Sequence, residues 1–218
     1  DSITTGDYNV GLGDNALTAT TSGANNVAVG KNALDANTTA ENNTAVGYNS
    51  LGTNTTGTQN TAIGSYSLDA NTTANSNVAI GYNSMTLTTT GAENVGVGAK
   101  ALGSNSTGAN NTAVGYEAMY ASTTGSNNAA FGISALKDNT TGHENTALGR
   151  YALQNNTTAQ ENTGVGNAAL ENTTTGSYNT AVGSSVMAAN VTGTQNVAMG
   201  YNSMLANTGS YNTSIGYE

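Results

Sequence analysis

The chain contains one histidine, and it is the first residue to consider for acid–base chemistry. His143 precedes Glu144, and an imidazole held beside a carboxylate is a common general base. No second copy of this pair recurs. The other acidic residues are dispersed, with no recurring pair at the spacing of glycosidase carboxylates. We therefore interpret His143 as a surface residue and predict that the chain is not an enzyme.

Composition also argues against cofactors, nucleic acid and membrane insertion. Cysteine is absent, so no thiolate metal site can form, and no segment matches the calcium-binding nonapeptide of β-rolls. Gly11-Leu12-Gly13 is not a phosphate loop, because no helix is predicted to follow it. Four Lys and Arg residues against a net charge of −9 provide no basic stripe for phosphates. No apolar run approaches the ~18 residues of a membrane span.

What dominates the chain is a recurring glycine. Eleven of the twelve intervals between its copies are 17 residues long, and the last is 16. The glycines are Gly13, Gly30, Gly47, Gly64, Gly81, Gly98, Gly115, Gly132, Gly149, Gly166, Gly183, Gly200 and Gly216. Each ends a phrase that starts with Asn and most often reads Asn-(Thr/Val)-Ala-(Val/Ile)-Gly. A period this short and strict predicts a solenoid, in which one coil buries its apolar face only against its neighbours.

Residues at the same position of every repeat form a column. Columns are numbered from this glycine, with negative numbers before it and positive numbers after it. Column −1 is always apolar, as at Val114, and column +4 is always Leu or Met, as at Leu34 and Met85. Apolar residues that alternate along a short segment are typical of a half-buried strand. We predict an all-β fold, a parallel β-solenoid (β-roll or β-helix) of about thirteen 17-residue coils. Residues 1–218 would form one repetitive domain with columns −1 and +4 inside.

The charged residues support an ordered coil. Every Asp, Glu, Lys and Arg falls in column +1, +2, +5, +6, +11 or +12. A merely compositional repeat would scatter charges over all columns. The six charged columns are therefore predicted to face water. Helical repeats are disfavoured because Asn, Thr and Gly are poor helix formers.

Column −4 is Asn in every repeat. We predict a structural ladder in which each amide bonds to the coil above and below or caps a turn; the alternative is contact with a glycan or another ligand. The predicted ladder comprises Asn26, Asn43, Asn60, Asn77, Asn94, Asn111, Asn128, Asn145, Asn162, Asn179 and Asn196.

Two surface features carry further hypotheses. Paired threonines in columns +8 and +9, as at Thr38-Thr39, are similar in composition to ice-binding solenoids. Adjacent strand residues point to opposite faces, however, whereas a flat two-rank array needs Thr-x-Thr. Tyrosines directly after the glycine are candidate surface contacts, suited either to glycan stacking or to packing between fibres, or else cover neighbouring backbone. These are Tyr48, Tyr82, Tyr116 and Tyr201.

The repeated phrase resembles those of two families. Asn77–Gly81 with Ser84 resembles the head repeat of trimeric autotransporter adhesins, and Asn111–Tyr116 is similar to repeats in phage tail fibres. The resemblance covers every coil and implies homotrimeric β-rolls on a bacterial surface or a virion. The period of 17 is longer than in the adhesin heads, and the sequence contains neither their membrane anchor nor the self-cleaving chaperone domain that often follows tail-fibre repeats.

These observations favour a non-catalytic, extracellular fibre shaft. Its expected partners are identical chains, as a homotrimer or a coaxial filament, and cell-surface glycans. The repeat pattern runs to both ends, from Asp1 to Glu218, without capping coils. We therefore expect a segment of a longer fibre or a unit that stacks end to end. The alternative function is ice binding through the threonine ladders.

Overall fold

The structure, a computed structural model, describes residues 6–206 and 208–217, which contain strands and turns but no helix. Two compact units divide the chain, Asp1–Ala109 and Asn110–Glu218. The first holds strands β1 to β6: Val10–Leu12, Val27–Val29, Thr44–Val46, Thr61–Ile63, Val78–Ile80 and Val95–Val97. The second holds β7 to β13: Thr112–Val114, Ala129–Phe131, Thr146–Leu148, Thr163–Val165, Thr180–Val182, Val197–Met199 and Thr213–Ile215.

Within each unit, every strand pairs in parallel with the next strand in the sequence. In the first unit Ala45 lies opposite Ala62, and in the second Thr163 lies opposite Thr180. Both offsets equal the 17-residue period; only the last pairing, Val197 with Thr213, is one residue shorter. Sequential parallel pairing at the repeat length is the geometry of a solenoid. The predicted all-β parallel β-solenoid is confirmed.

The second side of each coil, columns +1 to +6, is built from turns instead of a strand. Its backbone visits the left-handed region at non-glycine residues, as at Asn49 (φ 52°) and Leu51 (φ 50°). The Asn49 N–H donates to Lys31 O of the preceding coil at 3.1 Å, and the Leu51 N–H donates to Ser67 O of the following coil at 3.1 Å. These two left-handed residues, two positions apart, thus donate to opposite neighbouring coils. The turns satisfy both backbone donors, but each left-handed residue costs about 1–2 kcal/mol.

A pair of adjacent serines can measure that cost. Ser185 has a φ of 54°, whereas Ser184 has no positive φ, and both are half-buried. Replacing either by Gly adds similar unfolded-state entropy, but only Ser185→Gly relieves a left-handed residue. We expect Ser185→Gly to be more stable than Ser184→Gly by about 1–2 kcal/mol in urea unfolding. Equal stability would show that the left-handed turns are not strained.

The interior of each coil is formed by columns −2 and +4. The Leu and Met side chains of column +4 are fully buried, as predicted, for example Leu51, Met85 and Leu136. Opposite them lie the alanines of column −2, such as Ala62 and Ala147, with no exposed surface. The apolar interior of each coil therefore holds one long side chain, from column +4, and short ones, from columns −2 and +3.

The prediction that column −1 lies inside is wrong. Ile63 is 39% exposed and Leu148 is 48% exposed, because the strand turns columns −3 and −1 outward. The cause is the width of the coil. A Cβ added at Gly96 would lie 2.9 Å from Met85 Cγ, and at Gly164 3.4 Å from Leu153 Cγ. There is room for a methyl group at most, so the branched side chains must face out.

Candidate interaction surface

The column −4 asparagines of the proposed ladder lie in the interior, and their bonds reach the preceding and the following coil. In Asn43, the backbone N–H donates to Asn26 Oδ1 at 3.0 Å, and Nδ2 donates to Gly57 O at 2.9 Å. Its own Oδ1 accepts the backbone N–H of Asn60 at 2.9 Å. All eleven asparagines of the proposed ladder are at most 2% exposed. A glycan or other external ligand therefore cannot reach these amides in the folded chain.

A second buried polar column, +7, contains the asparagines of several glycosylation sequons. Asn37 and Asn139 each start an Asn-Thr-Thr sequence and have no exposed surface. The Asn139 Nδ2 donates to Gly142 O, three residues later, at 2.9 Å. These sequons are consequently closed to a transferase once the coil has folded.

The two threonines of each pair have different roles. In column +8 the hydroxyl donates to the carbonyl of the next coil, as from Thr55 Oγ1 to Thr72 O at 3.0 Å and from Thr140 Oγ1 to Thr157 O at 3.0 Å. The column +9 residues, such as Thr56, are exposed. Each unit thus presents a single exposed rank of these hydroxyls. The two-rank array that the ice-binding alternative requires is not formed by these pairs.

Columns −3 and −1 form the outer strand face; of these two, the sequence pattern predicts an interior position only for column −1. Column −3 holds Val, Thr or Ala, and column −1 holds only apolar residues. Neither column contains a charge. Side chains as large as Phe131 (41%), Leu148 (48%) and Met199 (49%) are exposed on it. Within each unit, column −1 is therefore an apolar stripe, and an exposed apolar stripe is typical of an interaction site.

The candidate tyrosines border this face, one residue beyond the glycine. Tyr48, Tyr82, Tyr116 and Tyr201 are between 40% and 54% exposed. Two groupings arise that the column pattern alone does not show. In the first unit Tyr66 packs edge-on between its neighbours, with ring centroids 5.2 Å from Tyr48 and 6.5 Å from Tyr82. In the second, the rings of Tyr201 and Tyr217 stack at 5.6 Å.

The pKa values of a tyrosine, an aspartate and a lysine depart from their ordinary values. Desolvation raises the pKa of Tyr66, and a hydrogen bond with the Tyr48 side chain adds to the rise. Burial also raises the pKa of the nearby Asp69. The hydrogen bond to Glu117, at 2.9 Å, raises the pKa of Lys137 despite partial desolvation of the ammonium.

The candidate acid–base pair, His143 and Glu144, lies at the surface of the second unit. His143 Nδ1 lies 3.9 Å from Glu144 Oε1, and both side chains are exposed. No group of three or more His, Asp or Glu residues that could hold a metal ion occurs among residues 6–206 and 208–217. Over the same ranges, no helix has the length and apolarity to cross a membrane.

Fold and columns together define the chain as a parallel β-solenoid with a buried amide ladder and an apolar outer strand face. Comparisons with protein-family models, curated proteins and solved structures found no match. The surface of the coils is therefore the basis for assigning a function.

Proposed function

We propose that this chain is a non-catalytic structural segment of an extracellular fibre that self-associates side by side through its outer strand face. The observation that carries the proposal is an uncharged apolar column that is exposed or half-buried at every strand. Residues such as Ile63, Phe131 and Leu148 gain about 25 cal/mol for each Å² of apolar surface removed from water. Most monomeric proteins do not leave such a stripe uncovered.

A second copy of the same chain is the best-matched occupant. When two copies lie side by side with their coils stacked in the same direction, each column of one copy can lie opposite the same column of the other, because both share the 17-residue period. The face contains no charged residue that would oppose its own image. Closed association with rotational symmetry would bury the face of every copy, and a homotrimer satisfies this condition.

The resemblance to adhesin heads and tail fibres supports the same role. In this proposal the protein lies on a bacterial surface or a virion, and the surfaces that remain exposed are available for attachment to a cell. A coaxial filament is compatible with side-by-side packing, since the two use different surfaces.

The test is the oligomeric state of face variants in analytical ultracentrifugation. Phe131→Lys with Leu148→Lys puts two cations in column −1 of adjacent coils, whereas Thr141→Lys with Thr158→Lys adds the same charges in exposed column +9. We expect the unaltered chain and the threonine variant to be trimers or larger assemblies, and the face variant to be a folded monomer. A monodisperse monomer of the unaltered chain at high concentration would overturn the proposal.

One inexpensive measurement separates this function from ice binding. A fibre segment should produce no thermal hysteresis at micromolar concentration, because each threonine pair exposes only its column +9 hydroxyl and forms no flat two-rank array. Clear hysteresis or ice shaping would favour the alternative.

A further inference from the structure

The tyrosine cluster of the first unit, Tyr48, Tyr66 and Tyr82, has the geometry of a fixed binding platform. The Tyr66 ring is inclined at 84° to Tyr48 and at 80° to Tyr82. Such edge-to-face contacts are favourable and hold aromatic rings in place. A platform that is already ordered loses little entropy when a ligand binds.

The spacing of its outer rings is set by the coils. Tyr48 and Tyr82 occupy the same column two coils apart, so their backbones are separated by about 9.6 Å, twice the strand spacing. This distance is close to the disaccharide repeat of an extended β-1,4-linked polysaccharide. In such a chain every second sugar presents the same face, so rings two coils apart meet equivalent sugars.

A row of amides continues the surface along the stacking direction. Asn15 Nδ2 donates to Asn32 Oδ1 at 3.1 Å, and Asn32 Nδ2 donates to Asn49 Oδ1 at 2.9 Å. Each amide nitrogen has two N–H groups, and the row uses one of them. The second can donate to a sugar hydroxyl beside the aromatic stack.

The negative net charge of the chain favours a neutral ligand. The chain has four Lys and Arg residues and a net charge of −9, which opposes the approach of sulfated or carboxylated glycans. Beside the amide row, Lys31 already pairs with Asp14 at 3.2 Å.

We propose that the tyrosine cluster and the amide row bind a neutral β-1,4-linked polysaccharide, a glucan or chitin, lying along the stacking direction of the coils. The inference deepens the proposed attachment role and rests on it. Tyr48 and Tyr82 stack against alternate sugars, and Tyr66 holds both rings.

Sedimentation of the full chain with insoluble cellulose and with chitin tests the proposal. We expect binding to at least one of them, weakened about tenfold by Tyr82→Ala, the loss of roughly 1.4 kcal/mol. Tyr178→Ala removes a tyrosine that is 46% exposed in a different column and should leave binding unchanged. Binding to neither polymer, or equal binding by both variants, would overturn the proposal.

A relocated ring tests the spacing itself. Adding Ala99→Tyr to Tyr82→Ala restores the number of tyrosines in the column but places the second ring three coils from Tyr48. We expect binding to stay weak, and full recovery would show that aromatic content alone matters.

Ultracentrifugation of the same tyrosine variants should show unchanged assembly. Assembly without polysaccharide binding would reject this inference alone, whereas binding by a monomeric chain would reject the proposed self-association alone.

Discussion

Replacing Ala147 with Asp is expected to prevent the second unit from folding, whereas the same change at its neighbour Leu148 leaves the coil folded. Ala147 has no exposed surface and points toward the column +4 side chains, in the register that sets Gly164 against Leu153. A carboxylate there would be buried without a partner, at a cost of about 4 kcal/mol or more. Urea unfolding followed by far-UV circular dichroism measures the difference.

Leu148→Asp is the matched control because it adds the same charge to the same strand. Leu148 is 48% exposed on the outer strand face, so its aspartate remains hydrated. We expect Leu148→Asp to weaken self-association but to cost the coil itself no more than about 1 kcal/mol, the range of strand propensities. Tolerance at Ala147 with collapse at Leu148 would reverse the assignment of the two strand faces.

The fold class could be predicted because a strict period constrains the backbone more than any local propensity does. The spacing of the glycines predicts parallel pairing one repeat apart, and the pairing of Ala45 with Ala62 follows it. The column +4 residues, such as Leu51, are apolar in every coil and lie inside. Both predictions depend on repetition. A single three-residue strand is too short to be recognised in a sequence, but the same pattern in every repeat is recognisable.

Which face of the strand is buried could not be decided by alternation. The usual preference places the larger apolar residues, such as Ile63, in the core. In this narrow coil, column +4 already fills the interior, and Ala62 is the side chain that fits opposite. The sequence did contain a signal for the buried face. Column −2 holds only Gly, Ala and one Ser, and a position restricted to small residues indicates close packing.

The candidate surface was predictable in part. Tyr48 and Tyr82 share a column, and their exposure follows from the charged residues found in the same column. Tyr66 belongs to the next column, and it joins them from a left-handed turn with a φ of 58°. Asn is common in left-handed turns, but Tyr and Leu are not, so their residue types give no sign of that conformation.

Replacing Asn145 with Asp tests the amide ladder with almost no change in shape. Asn145 Nδ2 donates to Ala159 O at 2.8 Å and to Asn128 Oδ1 at 3.2 Å, while Asn145 Oδ1 accepts the Asn162 N–H at 3.0 Å. A carboxylate keeps the last bond but turns an oxygen toward two acceptors in a fully buried site. We expect a loss of about 3 kcal/mol or more at pH 7.

The loss should shrink in acid, because a protonated carboxyl can again donate to Ala159 O. Burial and the facing acceptors raise the folded-state pKa of the introduced group above its unfolded value of about 3.9. The stability that the protonated carboxyl contributes is therefore fully present below the unfolded-state pKa and is lost as the pH rises through the folded-state pKa.

The control is Asn155→Asp, because Asn155 Nδ2 donates to Asn172 Oδ1 at 2.8 Å on an exposed surface. This change should alter stability by at most about 0.5 kcal/mol. Urea unfolding of both variants at pH 3.5 and pH 7, each against the unaltered chain, gives the comparison. Equal losses for both variants, or no recovery of Asn145→Asp in acid, would show that the buried amides do not hold the coils together.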